Sequence, residues 1–167
     1  MNATETVLSA RKLLESLTPL NMDCGKLCGA ACCGEDESGG NGMLLLPGEE
    51  ELYEAEPFPL ELEPDDTLFE GGSRLVCQGK CTREDRPFNC RIFPLRMALD
   101  EEGNPLRLEI DPRAWAVCPL CDRGGVRGMS VEFRKGARAA YELLTQNPEI
   151  REALRREQKM LEETRKL

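Results

Sequence analysis

The sequence predicts a small α+β domain, with helices at both termini around a loop-rich, cysteine-bearing middle that contains a short β-hairpin. Three observations carry this. Apolar residues recur at helical spacing near both ends and alternate as in strands only briefly between them. The 15 glycines and 11 prolines, set against 5% aromatic residues, imply many loops and few large rings to fill a core. Nine cysteines supply a staple that the apolar residues do not, and with no histidine present any bound metal must be held mainly by thiolate. The fold is therefore expected to be metal-stabilised.

A chain of 167 residues falls within the span of one domain. We divide it into a cysteine-rich, metal-binding part with the N-terminal helix, residues 1–128, and a helical extension, residues 129–167, packed on the same domain. Over residues 4–17, Val7, Ala10, Leu13, Leu14 and Leu17 mark an amphipathic helix, and Pro19 stops it. Four cysteines follow, and then Gly34, Gly39, Gly40 and Gly42 mark a mobile loop. Residues 43–46 suit a short strand, and Pro47 followed by Glu49, Glu50 and Glu51 reads as the first turn of a helix. Residues 95–99 and 106–110 flank the polar turn DEEGN and predict a hairpin. Ser130 caps a helix with the stripe Phe133, Ala137, Tyr141 and Leu144. Asn147 caps the last helix, with Pro148 at its first position and Ile150, Ala153, Leu154 and Leu161 inward. Glu152 with Arg156 and Glu162 with Lys166 stand four apart and should pair, while the sparse apolar content of the end suits a solvated tail.

The formal charge of -9 argues against nucleic acid, which needs a basic partner. The thirteen acidic residues between positions 27 and 73, with no lysine or arginine, read as a solvated face. The first twenty residues lack a basic start, an apolar stretch and a cleavage site, and no apolar run approaches the roughly 20 residues that span a bilayer. The expected location is the cytoplasm, with no membrane partner. In a reducing compartment an odd number of cysteines points to metal ligands or reactive thiols rather than disulfides.

The cysteines form three groups: Cys24, Cys28, Cys32 and Cys33; Cys77, Cys81 and Cys90; Cys118 and Cys121. Cys24 and Cys28 stand one helical turn apart, so their sulfurs can converge on one ion. On an unbroken helix Cys32 would lie roughly 12 Å beyond Cys24. Either the helix breaks near Gly29 or Cys32 serves another metal. Adjacent side chains diverge, so Cys32 and Cys33 belong to two sites or to one polynuclear cluster. Gly79, between Cys77 and Cys81, allows a tight turn with backbone amides pointing at the sulfurs. The spacing of Cys118 and Cys121 occurs in zinc knuckles and in redox pairs; seven companion cysteines favour ligation. Arg86 and Arg91 flank Cys90, where guanidinium groups can offset thiolate charge and help hold a cofactor. Phe88, Phe93 and Trp115 are expected to pack around the cysteines.

The segment RPFNCRIFP at 86–94, together with CGKLCGAACC at 24–33, resembles the CxxCxxCC-type family of bacterial and archaeal zinc- or iron-chelating proteins, to which flagellin lysine methylases also belong. Arg86, Pro87, Cys90, Arg91, Phe93 and Pro94 match its second motif, and Cys24, Cys28, Cys32 and Cys33 its first. Cys77, Cys81 and Cys118 fit the remaining cysteine positions by order, whereas Cys121 is an extra cysteine and the spacing from Cys77 to Arg86 is tight. The resemblance implies zinc or iron held by these cysteines, and because eight or nine thiolates exceed what one four-coordinate ion can use, the expected cofactor is two or more zinc ions or an iron–sulfur cluster. Spacing alone does not separate zinc from iron.

Three functions follow as expectations. The first is a metal-binding protein without catalysis of its own, presenting a surface to a protein partner. The second is an iron–sulfur-dependent, methyl-transferring enzyme that modifies proteins, or an accessory subunit of one. Against it stand the missing nucleotide loop, the absent histidine and the short chain. The third is metal storage or sensing.

Overall fold

The computed structural model describes residues 1–33, 42–54, 60–77 and 81–166. In chain order its elements are α1 (Ala3–Leu13), the single turn α2 (Gly25–Cys28), β1 (Gly42–Leu44), β2 (Leu62–Pro64), β3 (Ser73–Val76), α3 (Phe88–Ile92), β4 (Leu95–Leu99), β5 (Pro105–Ile110), α4 (Val131–Leu144) and α5 (Pro148–Thr164). This is a small mixed α and β fold, helical at both ends with an antiparallel hairpin between. The loop expected at Gly34, Gly39 and Gly40 and the turn expected at Gly79 lie outside the described residues, while Gly42, expected in that loop, begins β1.

Local chemistry starts each long helix. Asn2 Oδ1 accepts from the Glu5 N–H at 2.8 Å, and Glu5 Oε2 accepts from the Asn2 N–H at 3.0 Å, so α1 opens on a reciprocal cap. Ser130 Oγ accepts from the Phe133 N–H at 3.3 Å to start α4. Asn147 Oδ1 accepts from the Glu149 and Ile150 N–H groups at 3.0 and 3.2 Å to start α5, behind Pro148. The caps at Ser130 and Asn147 are those the sequence predicts, and the one at Asn2 is added by the structure.

The apolar faces meet in one continuous core. It joins Val7 and Leu14 below α1, Phe88 and Ile92 of α3, Leu95, Met97 and Leu99 of β4, Phe133, Tyr141 and Leu144 of α4, and Ile150 and Leu154 of α5. Burying a side chain of this size contributes roughly 1.5–3 kcal/mol. Nine of the twenty buried residues of this core lie between Met129 and Leu154. Phe88 meets Tyr141 edge-on, with ring centroids 5.4 Å apart.

β4 and β5 pair antiparallel from Leu95↔Ile110 to Leu99↔Pro105, with an irregularity at Ala98/Leu99. Asp100 closes the turn by accepting from the Glu102 and Asn104 N–H groups at 3.0 and 2.8 Å. All five residues of β4 are buried. Gln158 of α5 donates to the Leu99 carbonyl at 3.0 Å and accepts its N–H at 2.8 Å, occupying backbone groups that a strand would otherwise pair. The other sheet has the order β1-β3-β2, all antiparallel, with Gly42 opposite Val76 and Leu62 opposite Leu75.

Three sequence expectations are corrected. Beyond Pro47 a 3-10 turn, Glu50–Leu52, forms in place of an α-helix. Glu152 pairs with Arg155 at 2.9 Å, while Arg156 donates to the Asp66 carbonyl at 3.3 Å, because the outward turn of α5 passes the loop after β2. Trp115 is 57% exposed instead of packed, because it is Ala114 beside it that turns into the core, whereas Phe88 is fully buried.

Candidate metal centre

The first cysteine group forms a hook. Cys24 precedes α2 and Cys28 ends it, with the Cys28 thiol 3.9 Å from the Cys24 carbonyl. Asp23 Oδ1 accepts the Gly25 N–H at 3.1 Å. The helix breaks at Gly29, with φ 64°, and Ala30 follows with φ 56°. Glycine adopts this left-handed conformation freely, whereas alanine does so at a cost of roughly 1–2 kcal/mol. A break near Gly29 is one of the two alternatives that the spacing leaves open. It reverses the chain, and the Cys33 N–H closes a 3-10 turn, Ala31–Cys33, on the Ala30 carbonyl at 2.8 Å.

The second group is assembled by long-range bonds. Cys77 directly follows β3, whose register against β1 sets its position. Cys90 lies in α3, and its neighbour Asn89 donates through Nδ2 to the Leu44 carbonyl of β1 at 3.0 Å. Glu49, fully buried, starts α3: its carboxylate accepts the Phe88 N–H at 2.6 Å and the Leu46 N–H at 3.2 Å, with Arg11 Nη1 3.7 Å away. The stretch between Cys81 and Arg86 is strapped to α1 and its end. Arg11 and Arg91 both donate to the Glu84 carbonyl, at 2.9 and 2.8 Å, and Arg83 donates to the carbonyls of Glu15, at 2.7 Å, and Leu17. Arg91 also donates to the Arg86 carbonyl at 2.8 Å and to the Arg11 carbonyl at 3.3 Å. The two arginines beside Cys90 thus diverge: Arg91 is a strut between backbone segments, and Arg86 lines the cysteine cavity.

Cys118 arrives from the far side. Arg113 bridges Asp111 at 2.6 Å and Glu157 at 2.8 Å, tying the chain after β5 to α5. The Ser130 N–H donates to the Pro19 carbonyl at 2.8 Å, which draws the segment before Cys24 towards the end of the Cys118 region. Glu49, Asn89, Asp111 and Arg113 were not singled out as site-building residues at the sequence level. Only Asn89, inside RPFNCRIFP, carried a signal.

Eight cysteines from all three groups line one cavity of about 450 Å³: Cys24, Cys28, Cys32, Cys33, Cys77, Cys81, Cys90 and Cys118, together with Asp23 and Arg86. Cys121 does not line it and is buried nearby. All nine are free thiols. Burial, followed by the charges of Cys77, Cys33 and Cys81, pushes the Cys90 thiol well above its ordinary value. Burial and then Cys118 and Cys28 raise Cys24. Burial raises Cys77, with Cys33 and Cys81 adding to it. Burial also raises Cys81, against the pull of Arg86. The Cys32 thiol hydrogen-bonds Cys33 and so holds Cys33 below the ordinary range and Cys32 above it. Burial and then Cys118 push Cys121 up to about 11.

The donor set suits a thiophilic metal, because sulfur predominates among the possible ligands that line the cavity. Among the described residues no three cysteine, aspartate or glutamate side chains already converge tightly enough to hold an ion. The thiols share a cavity without converging on one coordination sphere among the described residues. Comparison of the chain with protein-family models, curated proteins and solved structures gave no match.

Proposed function

We propose that this chain is a metal-binding protein that chelates zinc or an iron–sulfur cluster through its clustered cysteines and presents the folded result to a protein partner. One observation carries the reading: eight cysteines from segments up to 94 positions apart, Cys24 to Cys118, line a single cavity. Thiols need no such gathering for packing, and gathered thiolates repel one another unless a cation sits among them. The resemblance of the 24–33 and 86–94 segments to the CxxCxxCC-type family supports the same reading on separate grounds. Arg86 offsets part of the thiolate charge when metal is bound. Zinc in this setting organises structure, and an iron–sulfur cluster adds electron transfer.

A cytoplasmic location accords with nine free thiols, which a reducing compartment preserves. Among the described residues no helix is long and apolar enough to cross a membrane. The net charge of -9 disfavours nucleic acid as the partner.

The test is purification without oxygen, a visible spectrum and metal content by mass spectrometry. Stoichiometric zinc in a colourless sample, or iron with sulfide in a brown one, is the expected result. Protein that stays metal-free after incubation with either, under reducing conditions, rules the reading out.

A further inference from the structure

Of the nine cysteines only Cys121 stays out of the cavity, so the metal-binding reading leaves it without a role. We propose that Cys118 and Cys121 are a redox-modified pair that closes to a reversible disulfide and thereby withdraws the Cys118 thiol from the cavity. The disulfide does not depend on the metal-binding reading. In a metal-loaded chain the same oxidation removes one thiol donor.

The stretch from Cys118 to Cys121 folds as one tight turn. Pro119 opens the 3-10 turn Pro119–Asp122, and the Cys121 N–H donates to the Cys118 carbonyl at 3.2 Å. A four-residue turn closed by that bond holds its end Cα atoms within about 7 Å, and disulfides bridge Cα atoms about 4.4–6.8 Å apart, so the backbone is already close to bonding range. Side chains three positions apart eclipse in a 3-10 turn, and the Cys121 thiol hydrogen-bonds that of Cys118. The turn is held on both flanks: the Cys118 N–H donates to the Ala114 carbonyl at 2.8 Å, and Leu120 is buried in the main core. A zinc knuckle aims both sulfurs of such a pair at one ion, whereas here Cys118 lines the cavity and Cys121 does not. Cys32 and Cys33, the other hydrogen-bonded pair, are adjacent, and a disulfide between them closes a ring small enough to strain the planar peptide bond they share.

Access sets the order of events. Cys118 is half-buried beside the exposed Trp115, Ala116, Val117 and Pro119, while Cys121 is 5% exposed. The oxidant is a hydroperoxide. The Cys118 sulfur attacks the O–O bond of hydrogen peroxide, the departing oxygen leaves as water with the thiol proton, and a sulfenic acid remains on Cys118. The Cys121 sulfur then displaces the sulfenic hydroxyl, which leaves as a second water with the Cys121 proton as the S–S bond forms. Two electrons pass from the two sulfurs to the peroxide oxygens. A dithiol reverses the bond by exchange and becomes a disulfide itself.

The experiment is peroxide oxidation of the full chain isolated without oxygen, followed by blocking with iodoacetamide and peptide mass spectrometry. Cleavage after Arg113 and Arg123 leaves both cysteines in one peptide, residues 114–123. That peptide should appear unalkylated and lighter by the two thiol hydrogens before any other cysteine loses its alkylation, and dithiothreitol should restore it. In Cys121→Ala the resolving thiol is gone, so dimedone, which traps sulfenic acids, should label Cys118. Alkylation of both cysteines at peroxide levels that already oxidise Cys32 or Cys33 overturns the assignment, as does a first disulfide between any other pair. Dimedone on other cysteines but not on Cys118 overturns it too. The unmodified chain gives the first readout, so the assignment stays refutable even where Cys121→Ala does not fold. Metal uptake is measured on the same sample before peroxide is added: a chain that takes up no metal yet forms this disulfide fails the metal-binding reading and supports the redox pair.

Discussion

Glu49 is a buried carboxylate: one oxygen accepts the Phe88 N–H at the start of α3 and the other accepts the Leu46 N–H, with Arg11 beside it. Glutamine offers one acceptor and one donor group, so Glu49→Gln leaves one of the two N–H groups facing a donor. The expected loss is about 1–3 kcal/mol in chemical denaturation. Burial raises the Glu49 carboxyl above its ordinary value of 4.5, so the folded chain holds that proton more tightly than the unfolded one. Its contribution to stability is full below pH 4.5 and is lost as pH rises through the raised value. Stability of the metal-free glutamine variant, followed over that window, should lack this downward slope. Arg86 makes a different residue-scale case, because its guanidinium faces thiols while Arg91 grips carbonyls. Arg86→Gln should weaken metal retention roughly 10–100-fold, as loss of an outer partner does. Competition with a chromogenic chelator measures this, and Arg91→Gln should instead lower the unfolding midpoint more than the metal affinity.

The hook at residues 24–33 works as an element because the chain reverses at Gly29 and Ala30, both in the left-handed region. Ala30→Gly removes a strain of roughly 1–2 kcal/mol and adds about 0.5–1 kcal/mol of unfolded-state entropy, so it should be neutral or slightly stabilising. Ala30→Val puts a branched side chain where such residues are outliers. It should cost more than 1 kcal/mol of the metal-loaded stability by roughly that strain estimate and lower the metal retained through dialysis. If the valine variant matched the wild type in both readouts, the reversal would not be what brings Cys32 and Cys33 round to the cavity.

At the scale of the whole molecule, two kinds of cohesion meet along α3. On one side α1, α4, α5 and β4 share a continuous apolar core. On the other side the β1-β3-β2 sheet joins the small cluster of Leu45, Tyr53 and Leu75, and the cysteine segments border a cavity. Thiolate-bound zinc can contribute about 10 kcal/mol or more to folding, far beyond what that small cluster buries. Removing metal with a strong chelator should therefore loosen the cysteine segments and the three-stranded sheet while the helices and the β4–β5 hairpin persist. Limited proteolysis should cut first between residues 24 and 87, and far-ultraviolet circular dichroism should retain most of its helical signal. Uniform protection after verified metal removal would contradict this.

By itself the sequence determined the elements whose causes are local. Asn2, Ser130 and Asn147 cap helices through bonds that span three residues or fewer. The stripe of Phe133, Ala137, Tyr141 and Leu144 follows helical periodicity, and the DEEGN turn sets the hairpin. The grouping of the cysteines was likewise legible, while spacing offered a break near Gly29 as one of two alternatives and the structure shows that break. Only the tertiary structure decided which thiols share a wall, that Cys121 stays out of the cavity, that Arg86 and Arg91 part company, and that Trp115 faces water. Each of those outcomes depends on bonds between distant segments, such as Asn89 to Leu44 and Ser130 to Pro19. Such contacts arise only when the apolar faces have met, and no local pattern encodes them.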